Sequence, residues 1–122
     1  MDILVADDDR TARFLLSSTL IELGHRVTEA TNGCEAWKAW KREHHQLVIS
    51  DWMMPGVDGL ELCRRIRAEE EPGFAYIILI TARAGKANYL DAMDSGVDDF
   101  LGKPFERDRL LARVRVAMRI LD

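Results

Sequence analysis

The chain has 122 residues, of which 48% are hydrophobic and 31% are charged, and its formal net charge at pH 7 is -4. This length and composition are typical of one globular domain with a single buried core, and they exclude a disordered chain. The acidic balance argues against direct nucleic-acid binding, and no apolar run reaches the roughly 18 to 20 residues of a membrane span. Because no basic region precedes an apolar run at the N-terminus, we expect a cytoplasmic protein without membrane contact.

Alternating strand and helix patterns fill the first half of the chain. Residues 3–6 are wholly apolar, as in a strand that helices cover on both faces, and a second short apolar run that ends at Ser50 predicts a strand at 47–50. Helical spacing of apolar residues predicts helices at 11–23 and 34–44, and β-branched alternation predicts a strand at 26–30. The first helix has Phe14, Leu15, Thr19, Leu20, Ile21 and Leu23 at helical spacing, and the apolar face of the second includes Ala36, Trp37 and Trp40.

The second half of the chain continues this alternation. A helical pattern resumes at residues 59–66, and residues 76–80 form the most apolar run, which predicts a central strand. A short helix at 86–95, a weaker strand at 97–101 and a last helix at 105–121 follow. The predicted apolar stripe of the last helix is Leu110, Leu111, Val114, Met118 and Leu121.

Two cysteines and two adjacent histidines have simple structural interpretations. Cys34 and Cys63 form no CxxC motif, so we interpret both as reduced thiols packed against the core, without zinc or a disulfide. His44 and His45 stand at a predicted helix end, where capping the helix or facing solvent is a more frequent role than binding a metal.

Strands that alternate with helices predict βαβ units, and therefore an α/β fold with a mostly parallel sheet between two layers of helices. In such sheets, ligands bind beyond the carboxyl ends of the strands, where the strand order reverses. Polar side chains stand at these ends of four predicted strands, and we expect them on one rim of the sheet. They are Asp7, Asp8, Asp51, Thr81 and Lys103.

This combination of carboxylates, a hydroxyl and an ammonium best fits phosphoryl transfer. Carboxylates gathered in one pocket repel one another, and magnesium, a hard cation with oxygen ligands, compensates them while leaving room for water and a phosphate oxygen. An aspartate beside such a cation can attack phosphorus and form an acyl phosphate. The hydroxyl of Thr81 could donate to a phosphoryl oxygen, and the ammonium of Lys103 could pair with its charge.

Each of these residues has a plainer interpretation when it is taken alone. Asp7 is typical of a loop before a helix, Thr81 of a strand end, and Lys103 of a solvated surface. Their joint occurrence at the ends of the first, third, fourth and fifth predicted strands is what favours a common site. An EF-hand, an HExxH zinc site and a GxxxxGK[ST] phosphate loop are excluded because their spacings do not occur.

Several motifs together resemble the receiver domain of two-component response regulators. They are Asp7-Asp8, Asp51 with Met54-Pro55-Gly56 and Asp58-Gly59, Thr81-Ala82, and the segment 98–105. The resemblance covers essentially the whole chain and implies one receiver domain, residues 1–122. It also implies a flavodoxin-like doubly wound fold, with five parallel strands in the order 2-1-3-4-5 and five helices.

The resemblance implies a phosphoacceptor and a magnesium site. Asp51 would accept the phosphoryl group. Asp8 and Asp51 would bind magnesium through their carboxylates, Met53 through its backbone carbonyl, and Asp7 mainly through water.

The resemblance also implies the groups that hold and report the phosphoryl group. Thr81 and Lys103 would contact it, and the backbone amides of Trp52 and Ala82 would hold its oxygens. Phe100 matches the aromatic switch position of the family, whose rotamer follows the state of Thr81.

In the resembled family, the function is switching within a phosphorelay. A sensor histidine kinase or a phosphotransfer protein donates the phosphoryl group, and the surface of the fourth helix, fifth strand and fifth helix responds. By this likeness the chain catalyses its own phosphorylation and dephosphorylation and does not turn over outside substrates. The expected responding surface includes Asn88, Tyr89, Met93, Phe100, Arg107 and Leu110.

Family analogy places the kinase on the first helix, at Arg13, Phe14 and Ser17. It is also compatible with an output domain after residue 122 and with a homodimer that forms on phosphorylation. Five arginines make the last helix basic, and we interpret them as a solvated face rather than as a surface that binds nucleic acid. They are Arg107, Arg109, Arg113, Arg115 and Arg119.

Two other functions stay open from sequence alone. A magnesium-dependent phosphatase could act on outside substrates through an aspartyl phosphate, although the second aspartate that normally follows its nucleophile is here Met53. A phosphorylation-independent interaction module would keep the fold without the chemistry.

Overall fold

The computed structural model of the protein describes residues 1–69, 75–82 and 86–121, and it describes 86–89 without their side chains. Five strands alternate with five helices, as predicted. The strands are β1 (Asp2–Ala6), β2 (Arg26–Ala30), β3 (Leu47–Asp51), β4 (Tyr76–Thr81) and β5 (Asp99–Gly102). The helices are α1 (Arg10–Glu22), α2 (Gly33–Glu43), α3 (Gly59–Arg67), α4 (Lys86–Asp94) and α5 (Arg107–Leu121). Within the described ranges, no helix is long and apolar enough to cross a membrane.

All five strands are parallel and lie in the order β2-β1-β3-β4-β5, which confirms the predicted doubly wound fold. The strand order reverses between β1 and β3, so the carboxyl ends of these two strands are neighbours at the switch point. β3 occupies the middle of the sheet. β4, which we expected to be central, is an interior strand between β3 and β5, and its apolar sequence reflects burial of all its residues.

Two apolar layers cover the two faces of the sheet. One lies under α2, α3 and α4 and contains Trp40, Trp52, Leu62 and Leu79. The other lies under α1 and α5 and joins their buried leucines to the opposite faces of the strands. Because the side chains of a strand alternate between faces, each strand contributes to both layers, and the sheet is covered on both sides.

The helix predicted from the spacing of its apolar residues is present as α1, and the sheet covers only part of its apolar pattern. Leu16, Ser17 and Leu20 face the sheet, whereas Phe14 is 68% exposed and Leu15 is also exposed. This helix carries apolar residues on two adjacent stripes, and periodicity alone does not tell which of them the sheet covers.

Smaller corrections concern α5 and the element boundaries. In α5, Leu110, Val114 and Ala117 are buried, while the predicted core residue Met118 is exposed. Boundaries differ from the predicted ones by at most two residues, the largest shifts being the starts of β5 and α5. Such shifts are expected because local patterns define the centre of an element better than its ends.

The cysteines and histidines are divided between core and surface. Cys63 is buried and donates to the carbonyl of Ser95 over 3.2 Å, and burial raises the pKa of its thiol to about 11. Cys34 is exposed, so its predicted burial is wrong. His44 caps α2 in the left-handed conformation, as predicted, and this turn directs His45 inward, where it is buried and not solvated.

Candidate functional site

The carboxyl ends of four strands bring the predicted polar residues to one rim. Asp7 follows β1, Asp51 ends β3, Thr81 ends β4 and Lys103 follows β5. Parallel strands run in the same direction, so their carboxyl ends lie side by side at one end of the sheet. Residues far apart in sequence therefore meet here. The backbone N–H of Lys103 donates to the carbonyl of Thr81 over 2.8 Å, so the ends of β4 and β5 remain joined.

Three carboxylates form the acidic part of the rim. Asp7, Asp8 and Asp51 each offer an oxygen, and these three oxygens lie within 4.8 Å of one another. Asp7 is 2% and Asp51 8% exposed, whereas Asp8 faces solvent. These residues fit a magnesium ion, because a hard cation takes carboxylate oxygens and the open side at Asp8 leaves space for waters.

Lys103 lies between two of these carboxylates. Its Nζ is 2.8 Å from Oδ2 of Asp7 and 3.3 Å from Oδ2 of Asp51. Among the described side chains, Lys103 is the cation that pairs with these carboxylates, and its positive charge does not balance the three acidic groups. The described part of the rim therefore has an excess of negative charge that a further cation would relieve.

The charge distribution shifts the pKa values of both partners upward. Burial raises the pKa of Asp51, the charge of Asp7 raises it further, and Lys103 opposes both effects. For Lys103, burial lowers the pKa, but its hydrogen bond and charge interaction with Asp7 outweigh this, followed by those with Asp51, so that its pKa rises. Lys103 is thus held as an ammonium, while the ionised form of Asp51 is disfavoured relative to an exposed aspartate.

Backbone contacts fix the position of Asp51. Its Oδ1 accepts from the N–H of Trp52 over 2.9 Å, and the N–H of Gly59 donates to the carbonyl of Trp52 over 2.8 Å. A Cβ added at Gly59 would lie 2.4 Å from the carbonyl oxygen of Asp51, so only glycine allows α3 to begin so close to β3. Asp58 caps this helix by accepting from the N–H of Glu61.

The loop between β1 and α1 is held by a second set of contacts. Oδ1 of Asp7 accepts from the N–H of Asp9, and Asp9 caps α1. Nη1 of Arg13 donates to the carbonyl of Asp7 over 2.9 Å, while its Nε pairs with Glu29. Arg13 therefore supports the acidic loop, a role that its position in the sequence did not reveal.

Comparison with known proteins identifies the family to which the chain belongs. The model of the response regulator receiver domain matches residues 3–115. The chain belongs to the response regulator receiver family. A relative named chemotaxis protein CheY homolog, from Campylobacter jejuni, is 42% identical over 107 residues, which are 86% of this chain and 82% of the relative. The probable transcriptional regulator ycf27 of Porphyridium aerugineum is 38% identical over 120 residues, which are 98% of this chain and 49% of that protein.

Solved receiver structures agree in fold. The Francisella response regulator 1452 receiver domain has a TM-score of 0.91 at 30% identity, with 99% of this chain and 98% of that chain covered. A two-component response regulator of Clostridium difficile has a TM-score of 0.92 at 28% identity, with 100% and 98% covered. As a receiver, the chain takes part in two-component phosphorelay signalling, in which histidine kinases are the partners. The family generally binds Mg²⁺, and the cluster of Asp7, Asp8 and Asp51 could hold it.

The remaining predicted site residues of this receiver lie around the acidic cluster. Thr81 is buried, Ala82 and Met53 are exposed, and Trp52 is 2% exposed. The indole of Trp52 meets the half-buried ring of Phe100 edge to face, with centroids 6.4 Å apart and an interplanar angle of 88°. The sequence predicts a role only for the backbone amide of Trp52, because nothing in the sequence pattern indicates where its side chain points.

Two predicted surfaces of the receiver need correction. Ser17, expected on the kinase-docking face of α1, is buried. Leu110, expected on the responding surface, lies in the core, whereas Arg107 is exposed and pairs with Glu22 of α1. Met93 is exposed as expected. The side chains of Asn88 and Tyr89, also predicted for this surface, are outside the described residues.

Proposed function

We propose that this receiver, with residues 1–122 as one unit, accepts a phosphoryl group on Asp51 from the phosphohistidine of a kinase or phosphotransfer protein. The observation that carries the proposal is the buried carboxylate of Asp51 beside Lys103 and within reach of Asp7 and Asp8. A buried acid with a raised pKa and a neighbouring cation is the kind of group that protein sites adapt for chemistry.

The chain's own residues would position the reacting oxygen. The N–H of Trp52 holds Oδ1 of Asp51, which leaves Oδ2 to attack phosphorus. As the bond between Oδ2 and phosphorus forms, the bond from phosphorus to the imidazole nitrogen of the donor breaks, and that nitrogen keeps the electron pair. Mg²⁺, held by Asp8, Asp51 and the carbonyl of Met53, with Asp7 acting mainly through water, would neutralise charge on the phosphoryl oxygens.

Lys103, Thr81 and Ala82 would complete the phosphoryl site. Lys103 stays protonated and can move its ammonium from the carboxylates to a phosphoryl oxygen. Thr81 ends β4 beside this position, and its hydroxyl would donate to a second oxygen, together with the amide of Ala82 and with that of Trp52 once its hydrogen bond to Oδ1 of Asp51 weakens. Such preorganised donors act most strongly on charge that develops in the transition state.

The phosphohistidine donor would dock along α1. A groove of about 590 Å³ runs from the site between α1 and the segment after β5, and apolar side chains line much of it. Leu15 and Phe105 form its walls, and Lys103 lies at the end next to the carboxylates. Phe14, exposed on the same helix, extends the apolar surface for a partner helix.

The response would reach α4, β5 and α5, with Phe100 as the switch residue. The names of proteins similar to this chain indicate different outputs. One is a chemotaxis protein, one a probable transcriptional regulator, and one a probable response regulator with a GGDEF domain. This chain spans 50% of the last of these, at 30% identity and a TM-score of 0.91. We infer that phosphorylation controls a partner, a covalently joined output domain or a homodimer through this surface.

Phosphorylation by acetyl phosphate and Mg²⁺ tests the proposal directly. Intact-protein mass spectrometry should show one added phosphate in the wild type, none in Asp51→Asn, and none in the presence of a chelator. Asp94→Asn, at an exposed aspartate of α4, is the control that should still be phosphorylated.

A wild type without added phosphate, or an Asp51→Asn variant that still gains it, would contradict the proposal. Steady turnover of a generic phosphate ester would favour a phosphatase instead. Unchanged binding of a partner with and without beryllofluoride would favour a phosphorylation-independent module.

A further inference from the structure

Trp52 contacts both the phosphoacceptor and the switch residue. Its N–H donates to Oδ1 of Asp51 over 2.9 Å. Its buried indole meets the ring of Phe100, with centroids 6.4 Å apart and an angle of 88°, which is a favourable edge-to-face geometry. One residue therefore joins the group that would be modified to the ring that would respond.

The backbone of Trp52 has little freedom to move. Its N–H also lies 3.2 Å from the carbonyl of Ile80 on β4, and its carbonyl accepts from Gly59 at the start of α3. A Cβ added at Gly59 would lie 3.0 Å from the Cα of Trp52, which shows how closely these two backbone segments approach each other. A change at Asp51 is therefore more easily expressed in the indole and its neighbours than in a shift of this backbone.

Phe100 is in turn connected to α5. Its N–H donates to Oδ1 of Asp99 over 2.8 Å, and Oδ2 of Asp99 lies 3.7 Å from Nη1 of Arg113. A displacement of Phe100 therefore also affects a charged contact between β5 and α5. The contacts are continuous from Asp51 through Trp52 and Phe100 to the last helix.

We propose that Trp52 is a positioning residue that couples the state of Asp51 to the Phe100 ring, and this inference rests on the proposed phosphorylation. When the carboxylate becomes an acyl phosphate, the charge that Oδ1 presents to the N–H of Trp52 falls. The indole also forms part of the wall against which the Phe100 ring must repack. Trp52 thus biases the equilibrium between two positions of this ring.

A double-mutant cycle measures this coupling. The affinity for beryllofluoride at saturating Mg²⁺ is measured by calorimetry in the wild type, Trp52→Phe, Phe100→Leu and the double variant. We expect the double effect to differ from the product of the single effects by more than about twofold, beyond the range of independent sites. A purely structural role of Trp52 would lower stability without this dependence on Phe100.

Trp40 provides the matched control. It is buried in the same apolar layer, but its indole N–H donates to the carbonyl of His45 over 3.1 Å, at the opposite end of the sheet. The cycle of Trp40→Phe with Phe100→Leu should be multiplicative. Multiplicative effects in the Trp52 cycle, or equal coupling in the Trp40 cycle, would overturn the inference.

A second measurement keeps Trp52 in place and does not depend on the stability of its variants. Beryllofluoride should shift the indole N–H resonance of Trp52 in the wild type and shift it less in Phe100→Leu. An equal shift in both proteins would overturn the inference while leaving the proposed function intact. A wild type that binds no beryllofluoride would contradict the proposed function itself, and the inference with it.

Discussion

At the amino ends of β4 and β5, Arg67 and Asp98 form an ion pair that further hydrogen bonds support. Arg67 donates through its other nitrogens to the carbonyls of Gly96 and Ala75, and Asp98 also accepts from the N–H of Ile77. At the carboxyl ends of the strands the arrangement is the reverse. There, among the described residues, one ammonium is shared by two carboxylates, and a third acid lies nearby.

The difference separates a structural ion pair from a site for chemistry. A partly buried pair holds elements together when its charges are matched and its donors are satisfied. An acidic cluster with too few positive charges lowers stability but keeps affinity for a cation and a phosphoryl group. Substitutions at the two ends should therefore have opposite effects on the free energy of unfolding.

The largest expected effect is at the amino end. Arg67→Met removes the ion pair with Asp98 and two further hydrogen bonds, and leaves the carbonyls of Gly96 and Ala75 without this donor. We expect a loss of about 2 to 4 kcal/mol in the free energy of unfolding, measured with urea. Arg64→Met, on the exposed side of the same helix, is the control and should change stability by less than about 0.5 kcal/mol. Similar losses in both variants would contradict the comparison.

An intermediate effect of opposite sign is expected at Asp51. The pKa of Asp51 is raised in the folded state, so its ionisation costs more free energy in the folded protein than in the unfolded chain. Above that pKa, the ionised carboxylate therefore lowers the free energy of unfolding. Without Mg²⁺ at pH 7, Asp51→Asn should increase the free energy of unfolding by about 0.5 to 2 kcal/mol, the usual range for a stabilising substitution. The same change at Asp98 should decrease it.

The pH dependence and Mg²⁺ sharpen this test. The contribution of Asp51 is fully present below the ordinary pKa of about 3.8 and is lost as the pH rises through the raised value. The advantage of Asp51→Asn should thus disappear in acid. Saturating Mg²⁺ should also reduce it, because the cation stabilises the folded wild type. A variant less stable than the wild type at pH 7 without Mg²⁺ would contradict the expected sign.

The smallest effect is expected at His45, near the amino ends of the strands. Burial lowers the pKa of His45, although the charges of Glu43 and Asp2 oppose this, and Arg42 lowers it further. The folded protein therefore binds this proton less readily than the unfolded chain. Stability is full above the ordinary pKa of 6.5 and falls as the pH decreases through it towards the lowered value.

Urea unfolding between pH 5 and 8 should therefore show a flatter profile in His45→Gln than in the wild type. An equal slope in both proteins would show that His45 does not contribute to the pH dependence.

Much of the fold follows from local patterns, while the support of the site does not. Alternating strands and helices predict the parallel sheet, and parallel strand ends place Asp51 and Lys103 together without any knowledge of their contacts. The pairing of Arg67 with Asp98 joins residues 31 apart in sequence, and no local periodicity reports it. The burial of Ser17 was missed for the same reason, since the stripe of α1 that the sheet covers is decided by packing between distant segments.

The contacts of Arg13 connect α1 to the acidic loop and to β2. Its guanidinium already engages the carbonyl of Asp7 and the carboxylate of Glu29. Any protein that recruited Arg13 at α1 would compete with these groups and change the order of the loop that presents Asp7 and Asp8. Thermodynamic linkage makes such an effect reciprocal, so occupancy of the cation site and the affinity of that partner would each report on the other.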